Sequence, residues 1–531
     1  MPFLVPGSRC QRGNMSEDIL ARIVRMRRAD IERFGLDFGV EIPATRRRGH
    51  VEFLGTPGAI LEVKRASPSK GDIAPDLDPV GLATTYAEAH AQAISVLTEQ
   101  NFFKGSLRDL IAVADLMQRR SEQGLHACAV LRKDFLLFED EIDIAYRCGA
   151  DAVLLIARIL SDEQLVKMAK RAQSFDMQAF VEVREADDLR KLKLVTDALG
   201  DAAAKTIVAG VNSRDLATFH TDPLVPASVR NDLPAKAVFE SGIHSAADAD
   251  YARSLGFTGI LVGEAVAKNS PLAKDVVSAF EGGCENAKGK FWKDFAERRN
   301  AKRLCKECND ETIQDVTRPM VKICGITRTE DGMLAAELGA DMLGFVFSKT
   351  KRLTTEEFVR DFAAKLRASH SPESSPLLVG VITETESPEG QTAIKLAREG
   401  ILDAVQFHGV VPALRQAQGP CYAHYCAVRV GEESDFDKVA ALRKSGEPRI
   451  LLDAKVEGIP GGTGKQIPES LLREKAGDIP LWLAGGVNPD NVAEISSKFG
   501  PELIDVSSGV EDAPGVKNHE KMKKLMAQLR P

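Results

Sequence analysis

Two charged residues two apart, Glu62 and Lys64, close an apolar run that otherwise reads as a strand interior. Spacing of two puts both side chains on one face of that strand. Charge buried in such a place is costly unless it is paired or put to use. The same anomaly recurs down the first half: Lys133, Glu182, Asn212 and Glu240 each close a further apolar run. Any one of them could be a structural ion pair at a rim. Two lysines, three acids and an amide at successive strand ends offer more: proton donors, proton acceptors and clamps for an anion. A second group is small. Ser241-Gly242 and Gly263-Glu264-Ala265 in the first half are matched by Gly485-Gly486 and Ser507-Ser508-Gly509 in the second, where Gly461-Gly462-Thr463-Gly464 also occurs. Phosphate is bound by backbone N–H groups that approach closely, often at a helix N-terminus. One glycine pair could equally be a turn; matching positions in both halves point to phosphate.

The elements that must position these residues alternate throughout: short β-rich runs, then longer helical patterns, the mark of βαβ units around a parallel sheet. Eight strands are expected in the first half, near residues 59–64, 93–98, 127–133, 152–156, 179–183, 206–211, 237–241 and 259–263. Eight more are expected near 320–324, 342–347, 377–382, 404–407, 423–430, 449–453, 481–484 and 503–507. Eight and eight is the count for two tandem (β/α)8 barrels. A doubly wound sheet would have fewer strands, and neither half opens with a GxGxxG turn. Gly149-Ala150-Asp151 and Gly339-Ala340-Asp341 each introduce a strand, so the halves share their punctuation. In a barrel the charged strand ends fall on the C-terminal face, and phosphate sites follow strands seven and eight.

The expected domains are a disordered lead at 1–15, with Met15 a candidate start, a barrel at 16–283, a polar connector at 284–318 and a second barrel at 319–531. Ser16 to Phe34 reads as an extra amphipathic N-terminal helix with Ile19, Ile23, Met26 and Ile31 on its apolar face. It would either close the barrel or cover the first mouth. A helix near 291–303 is expected inside the connector, whose length implies a looser or differently packed interface than a short fusion would give.

The chain has 531 residues and a net charge of −7, with 44% hydrophobic and 28% charged residues. This balance argues against a general nucleic-acid or anionic-membrane binder. No run approaches the roughly 20 apolar residues of a membrane span, and the first residues carry too short an apolar stretch for a secretory signal. Nine cysteines, several in apolar runs, read as reduced thiols of a cytoplasmic protein. Cys305 and Cys308, with Cys284 upstream, lack the second pair a four-ligand zinc site uses. No metal or organic cofactor is expected, and the partners are small phosphorylated substrates of a monomer. A non-catalytic phosphosugar-binding protein would keep the phosphate cradles without acids and bases at the mouth. One live barrel beside a degenerate one would have lost catalytic residues.

The segment Glu62-Val63-Lys64-Arg65-Ala66-Ser67-Pro68-Ser69-Lys70-Gly71 closely resembles the signature of the indole-3-glycerol phosphate synthase family. Leu131-Arg132-Lys133-Asp134-Phe135, Val181-Glu182-Val183, Val211-Asn212-Ser213-Arg214-Asp215-Leu216 and Glu240-Ser241-Gly242-Ile243 continue it in order. The second half resembles the phosphoribosylanthranilate isomerase family in Lys322-Ile323-Cys324-Gly325-Ile326-Thr327, Gln406-Phe407-His408-Gly409, Leu452-Asp453, Gly461-Gly462-Thr463-Gly464, Leu483-Ala484-Gly485-Gly486-Val487 and Asp505-Val506-Ser507-Ser508-Gly509-Val510-Glu511. Together the resemblances imply two consecutive steps of tryptophan biosynthesis.

For the second half the resemblance implies an Amadori rearrangement, with Asp453 as general acid and Cys324 as general base. A thiol acts as base only when deprotonated, so surroundings that favour the thiolate are expected. Arg352 matches the residue that grips the anthranilate side, with Lys349 or Lys351 as alternatives. Gln406, His408, Gly462, Gly464, Gly485, Gly486, Ser507 and Ser508 would line that site. For the first half it implies indole ring closure with loss of carbon dioxide and water. Lys133 would be the acid at the carbonyl oxygen, Lys64 the partner of the substrate carboxylate, Glu62 its orienting neighbour and Glu182 the aid to dehydration. Which lysine is the main donor stays open. Asn212, Arg214 and Glu240 would hold hydroxyls and catalytic groups; Ser67, Ser241, Gly242 and Gly263 would surround the phosphate. One departure is Glu264, where the family often has serine. Its backbone N–H is expected to bind and its side chain to point away.

Overall fold

The apolar runs become two closed parallel barrels, each with its strands in chain order. The structure, a computed structural model, describes residues 19–68, 70–215, 219–304, 318–409, 422–455, 466–475 and 480–529. The first barrel is β1 (Gly58–Val63), β2 (Ala93–Leu97), β3 (Ala129–Lys133), β4 (Ala152–Ile156), β5 (Gln178–Val183), β6 (Ile207–Asn212), β7 (Ala237–Glu240) and β8 (Gly259–Val262). It closes where Gly58 of β1 lies opposite Gly259 of β8. The second is β9 (Met320–Cys324), β10 (Met342–Val346), β11 (Leu377–Ile382), β12 (Ala404–His408), β13 (His424–Val430), β14 (Ile450–Ala454), β15 (Trp482–Ala484) and β16 (Leu503–Val506). Nearly every strand position is buried. Side chains fill the inside and helices cover the outside, which is why these strands read as continuous apolar runs.

The extra N-terminal helix is α1 (Ile19–Phe34). Its buried stripe is Leu20, Ile23 and Arg27, rotated from the face expected of Ile19, Met26 and Ile31. The reason is electrostatic. Arg27 turns inward to Asp134 at 2.9 Å and Glu141 at 2.7 Å. Leu20 and Ile23 then join Leu131, Leu154 and Leu261 in the core of the first barrel, so α1 lies across its mouth.

The connector departs most from expectation. Residues 287–304 form one helix, α4 (Ala287–Leu304), and its aromatic residues Phe291, Trp292 and Phe295 are fully buried. On one side α4 lies against α2 (Leu224–Val229) and α3 (Ala246–Ser254) of the first barrel. On the other it closes the N-terminal end of the second. The Phe295 ring is 4.8 Å from Trp482 at the start of β15, and Phe291 stacks on Tyr425 of β13 at 6.4 Å. The inward residues Met320, Met342, Leu377, Leu451 and Leu503 thus belong to one apolar cluster with the helical shell of the first barrel. Each buried aromatic contributes about 1.5–3 kcal/mol, so of the two expected arrangements, looser or differently packed, the interface has the second. Among the lysines and arginines of this stretch, three aromatics on one helical face were easily read as incidental. Cys305 and Cys308, like the lead at 1–15, lie outside the described residues.

Candidate active sites at the two barrel mouths

The charged strand ends of the first barrel converge. Lys133 Nζ, at the end of β3, is 3.0 Å from Glu240 Oε2 on β7 and 3.5 Å from Glu62 Oε2 on β1. Lys64 Nζ is 3.2 Å from Glu62 Oε1 and lies over the Phe103 ring. One cavity is lined by Glu62, Lys64, Lys133, Glu182, Asn212 and Arg214. Its walls include Ser67, Ser241, Gly242 and Gly263, and Ile19, Leu20 and Ile23 of α1 roof it. Of the two readings of the N-terminal helix, covering the mouth is what the fold contains. Glu240 is buried behind Lys133. Gly263 leaves room for Glu62, whose Oε1 would be 2.4 Å from a Cβ there.

The electrostatics separate the groups. Burial alone would raise the Glu62 carboxyl, but Lys64 and Lys133 hold it below the usual carboxylate range. Burial works against the Lys133 ammonium, yet Glu240, Glu62 and Glu182 outweigh it and push its pKa up. Burial, reinforced by Glu240, pushes the Glu182 carboxyl up to about 8, against the pull of Lys133. Burial also raises Glu240, with Lys133 opposing. The mouth therefore sets a lysine whose charged form is favoured beside one carboxyl held low, Glu62, and two pushed up, Glu182 and Glu240. This is the separation acid–base chemistry requires.

The turns expected to meet phosphate repeat between halves. After the seventh strand of each barrel come two residues in the left-handed region: Ser241 (φ 65°) and Gly242 (φ 76°) in the first, Gly485 (φ 93°) and Gly486 (φ 69°) in the second. A serine there costs roughly 1–2 kcal/mol relative to glycine, so Ser241 is held by its surroundings: Ser213 Oγ donates to its carbonyl at 3.0 Å. After the eighth strand the backbone turns the same corner, at Gly263 (φ −115°, ψ −84°) and Ser507 (φ −123°, ψ −84°). Each corner opens a helical turn, Glu264–Lys268 and Ser508–Val510. The Glu264 side chain lies 3.0 Å from Lys70 and 2.8 Å from Lys268, both half-exposed. Burial opposes its charge, but the two lysines hold the carboxyl down to about 2, so its charge is met locally.

In the second barrel Cys324 ends β9, and Asp453 stands one residue before the end of β14. Both are buried. His408 Nε2 is 3.3 Å from Asp453 Oδ2. Gly485 gives Asp453 room, and Gly344 does the same for the thiol: a Cβ there would lie 2.6 Å from Cys324 Sγ. Arg352 sits beside Gly325 and Ser507 and grips Glu511 with Nε at 3.0 Å and Nη2 at 2.7 Å. Gln406 is buried; its Oε1 accepts from Lys322 Nζ at 2.7 Å and Tyr425 Oη at 3.0 Å, and its Nε2 lies 3.3 Å from His408 Nδ1. Gly462 and Gly464 lie outside the described residues.

The thiol's surroundings also correct an expectation. Burial pushes the Cys324 thiol up; Lys322 pulls it down, Asp505 pushes it further up, and Lys517 offsets only part of this. At rest it is a neutral thiol. Sequence reading missed Lys517, which is buried and donates to the Cys324 carbonyl, to the Ser507 carbonyl at 3.1 Å and to Glu511 Oε1 at 2.8 Å. It ties strand one to strand eight beneath the Ser507 corner. Its hairpin, Glu511–Ala513 with Val516–Lys517, carries no strong sequence signal. Lys322 and Asp505, 2.7 Å apart inside the barrel, were discoverable by the logic that found Glu62. Among the described residues no cluster of His, Cys, Asp and Glu could hold a metal ion, and no helix is long and apolar enough to cross a membrane.

Residues 46–278 match the family model described as indole-3-glycerol phosphate synthase, and residues 321–528 that of N-(5'phosphoribosyl)anthranilate (PRA) isomerase. A multifunctional tryptophan biosynthesis protein of Schizosaccharomyces pombe is 32% identical over 505 residues, covering 89% of this chain and 59% of its own length. The tryptophan biosynthesis protein TRP1 of Phytophthora nicotianae is 30% identical over 503 residues, covering 85% of this chain and 87% of its own. The indole-3-glycerol phosphate synthase of Roseiflexus sp. is 38% identical over 271 residues, covering 47% of this chain and 93% of its own. The chain spans about three fifths of the length of the multifunctional relatives it matches.

Proposed function

The chain belongs to the indole-3-glycerol phosphate synthase and N-(5'-phosphoribosyl)anthranilate isomerase families, one barrel to each, and from that premise we propose that it catalyses both steps in succession. The second barrel opens the ribose ring of N-(5'-phosphoribosyl)anthranilate and rearranges it to 1-(2-carboxyphenylamino)-1-deoxyribulose 5-phosphate. Asp453 gives a proton to the ring oxygen, and Cys324 removes one from carbon. The first barrel closes the indole ring on that product. Lys64 pairs with the substrate carboxylate, and Lys133 protonates the ketone oxygen as the ring carbon attacks. Carbon dioxide leaves, and Glu182 then protonates the departing hydroxyl. The turns at Ser241-Gly242 and Gly263, and at Gly485-Gly486 and Ser507-Ser508, bind phosphate through backbone N–H groups. The same proposal makes the protein a cytoplasmic monomer acting on small phosphorylated substrates.

The observation that carries this reading is the meeting of Lys64, Lys133, Glu62 and Glu182 at one roofed mouth beside a phosphate corner. A phosphosugar-binding protein without chemistry has no use for a lysine locked between three acids. Both reactions should be assayed separately on the full chain. Cys324→Ala should remove only the isomerase and Lys133→Ala only the synthase, each by roughly 10²–10⁴-fold. Wild-type protein lacking both activities would overturn the function; variants that keep both would overturn the residue roles.

A further inference from the structure

Between β6 and α2, residues 213–215 and 219–223 are described, and Arg214 and Phe219 among them wall the first mouth. The two stretches are tied together and to the Ser241-Gly242 turn. Asp222 N donates to Ser213 O at 3.0 Å, and Ser213 N donates to Glu240 O at 2.9 Å. Thr221 stands so close that a Cβ on Gly242 would be 2.9 Å from its methyl group. Where Asp222 sits therefore decides where Ser213, Thr221 and the Ser241-Gly242 turn sit.

The backbone of Asp222 is held by the first barrel, but its carboxylate also reaches outside it. Its Oδ1 accepts from Leu224 N at 2.9 Å and from Arg449 Nη2 at 2.9 Å; its Oδ2 accepts from Arg299 Nη1 at 2.8 Å. Arg449 stands immediately before β14 of the second barrel, and Arg299 is on α4. Both arginines also grip Glu502, just before β16, with Arg299 Nη1 at 2.7 Å and Arg449 Nε at 2.5 Å. The Arg449 side chain is 1% exposed. Two cations and two anions balance in a largely buried set. Beside it a cavity of about 420 Å³ separates Thr221, Pro223 and Ile243 from Pro448 and Ile450.

We propose that Arg449 of the second barrel is a positioning residue for the reaction of the first, acting through Asp222 on Ser213, Thr221 and the Ser241-Gly242 turn. The synthase mouth is then set partly by the base of the isomerase barrel. This rests on assigning the synthase step to the first barrel.

The test uses the full chain with Arg449→Gln, Arg449→Lys, Asp222→Asn and Glu502→Gln. The readouts are synthase KM and kcat, inhibition of the synthase by inorganic phosphate, and isomerase kcat/KM. Arg449→Gln and Asp222→Asn should raise synthase KM and weaken phosphate inhibition by about fivefold or more, with kcat changed less, as expected when a binding turn is misplaced. Arg449→Lys should restore part of the loss, and isomerase kcat/KM should hold. Glu502→Gln loosens the same interface but leaves both arginines on Asp222, so synthase KM should stay near wild type. If Arg449→Gln does not fold, Asp222→Asn carries the test. Unchanged KM in the folded variants overturns the proposal, as does an equal rise in Glu502→Gln, which would mark interface stability as the cause. Wild type without synthase activity would instead overturn the function assignment.

Discussion

Replacing Phe295 by alanine should unseat the second barrel from α4. The ring is fully buried, 4.8 Å from Trp482 and 6.4 Å from Trp292. It carries no polar atom, so the cost is lost packing plus a cavity, about 3–5 kcal/mol for Phe→Ala in a sealed core. That is a large share of the roughly 5–15 kcal/mol that stabilises a domain. With a urea dependence near 3 kcal/mol/M, the unfolding midpoint should fall by about 1–1.7 M. The chain provides its own probe, because its two tryptophans, Trp292 and Trp482, lie 6.0 Å apart at this contact. Intrinsic tryptophan emission therefore reports the interface, while isomerase activity in the same urea series reports the second barrel. The two curves should shift together. Lys290→Ala, on the exposed face of the same helix, should stay within about 0.5 kcal/mol of wild type. A shift below about 0.3 M for Phe295→Ala, or a shifted emission curve with an unshifted activity curve, would refute the idea that α4 is part of the second barrel's fold.

Other outcomes follow from the two mouths. If Glu182 delivers a proton, synthase kcat should fall as pH rises through about 8, since the acid form exists only below that value; Glu182→Gln should lower kcat and remove this limb. Burial holds the Cys324 thiol above the ordinary thiol range, so isomerase activity, which needs the thiolate, should still be climbing with pH in mildly alkaline buffer. A plateau below pH 7 would contradict both the pKa direction and the base role. Gly344→Ala places a Cβ 2.6 Å from Cys324 Sγ and 3.1 Å from its backbone Cα. Isomerase kcat/KM should drop by about tenfold or more while the synthase is untouched, as the two assays would report.

The barrels were legible because parallel strands buried on both faces must be apolar throughout, and because charge at their ends is conspicuous against that background. Glu62, Lys64 and Lys133 were found that way. Strand ends moved by no more than one or two residues, as at Ala129, where sequence placed the start at 127. What stayed hidden depends on contacts distant in sequence. Arg27 turns α1 because Asp134 and Glu141 lie over 100 residues away. Lys322 and Tyr425 reach the Gln406 amide from other strands. The aromatics of α4 have no visible partner until Trp482 and Tyr425 are brought beneath them. The state of the Cys324 thiol is a sum of burial and three neighbours, Lys322, Asp505 and Lys517, which no local motif encodes.

The second barrel rests on the first by its N-terminal end, through Trp482, Tyr425, Arg449 and Glu502, so its mouth opens at the opposite end, away from the interface. A molecule released there enters bulk solvent before it can reach the other mouth. For the proposed pathway, physical linkage then confers no private route. A coupled assay should show a lag that is set by how fast the shared intermediate accumulates to the synthase KM. An excess of a separate chain with a dead synthase mouth should capture that intermediate and slow indole formation. Fusion on this plan equalises the amounts of the two enzymes and braces one by the other, and it leaves their traffic to diffusion.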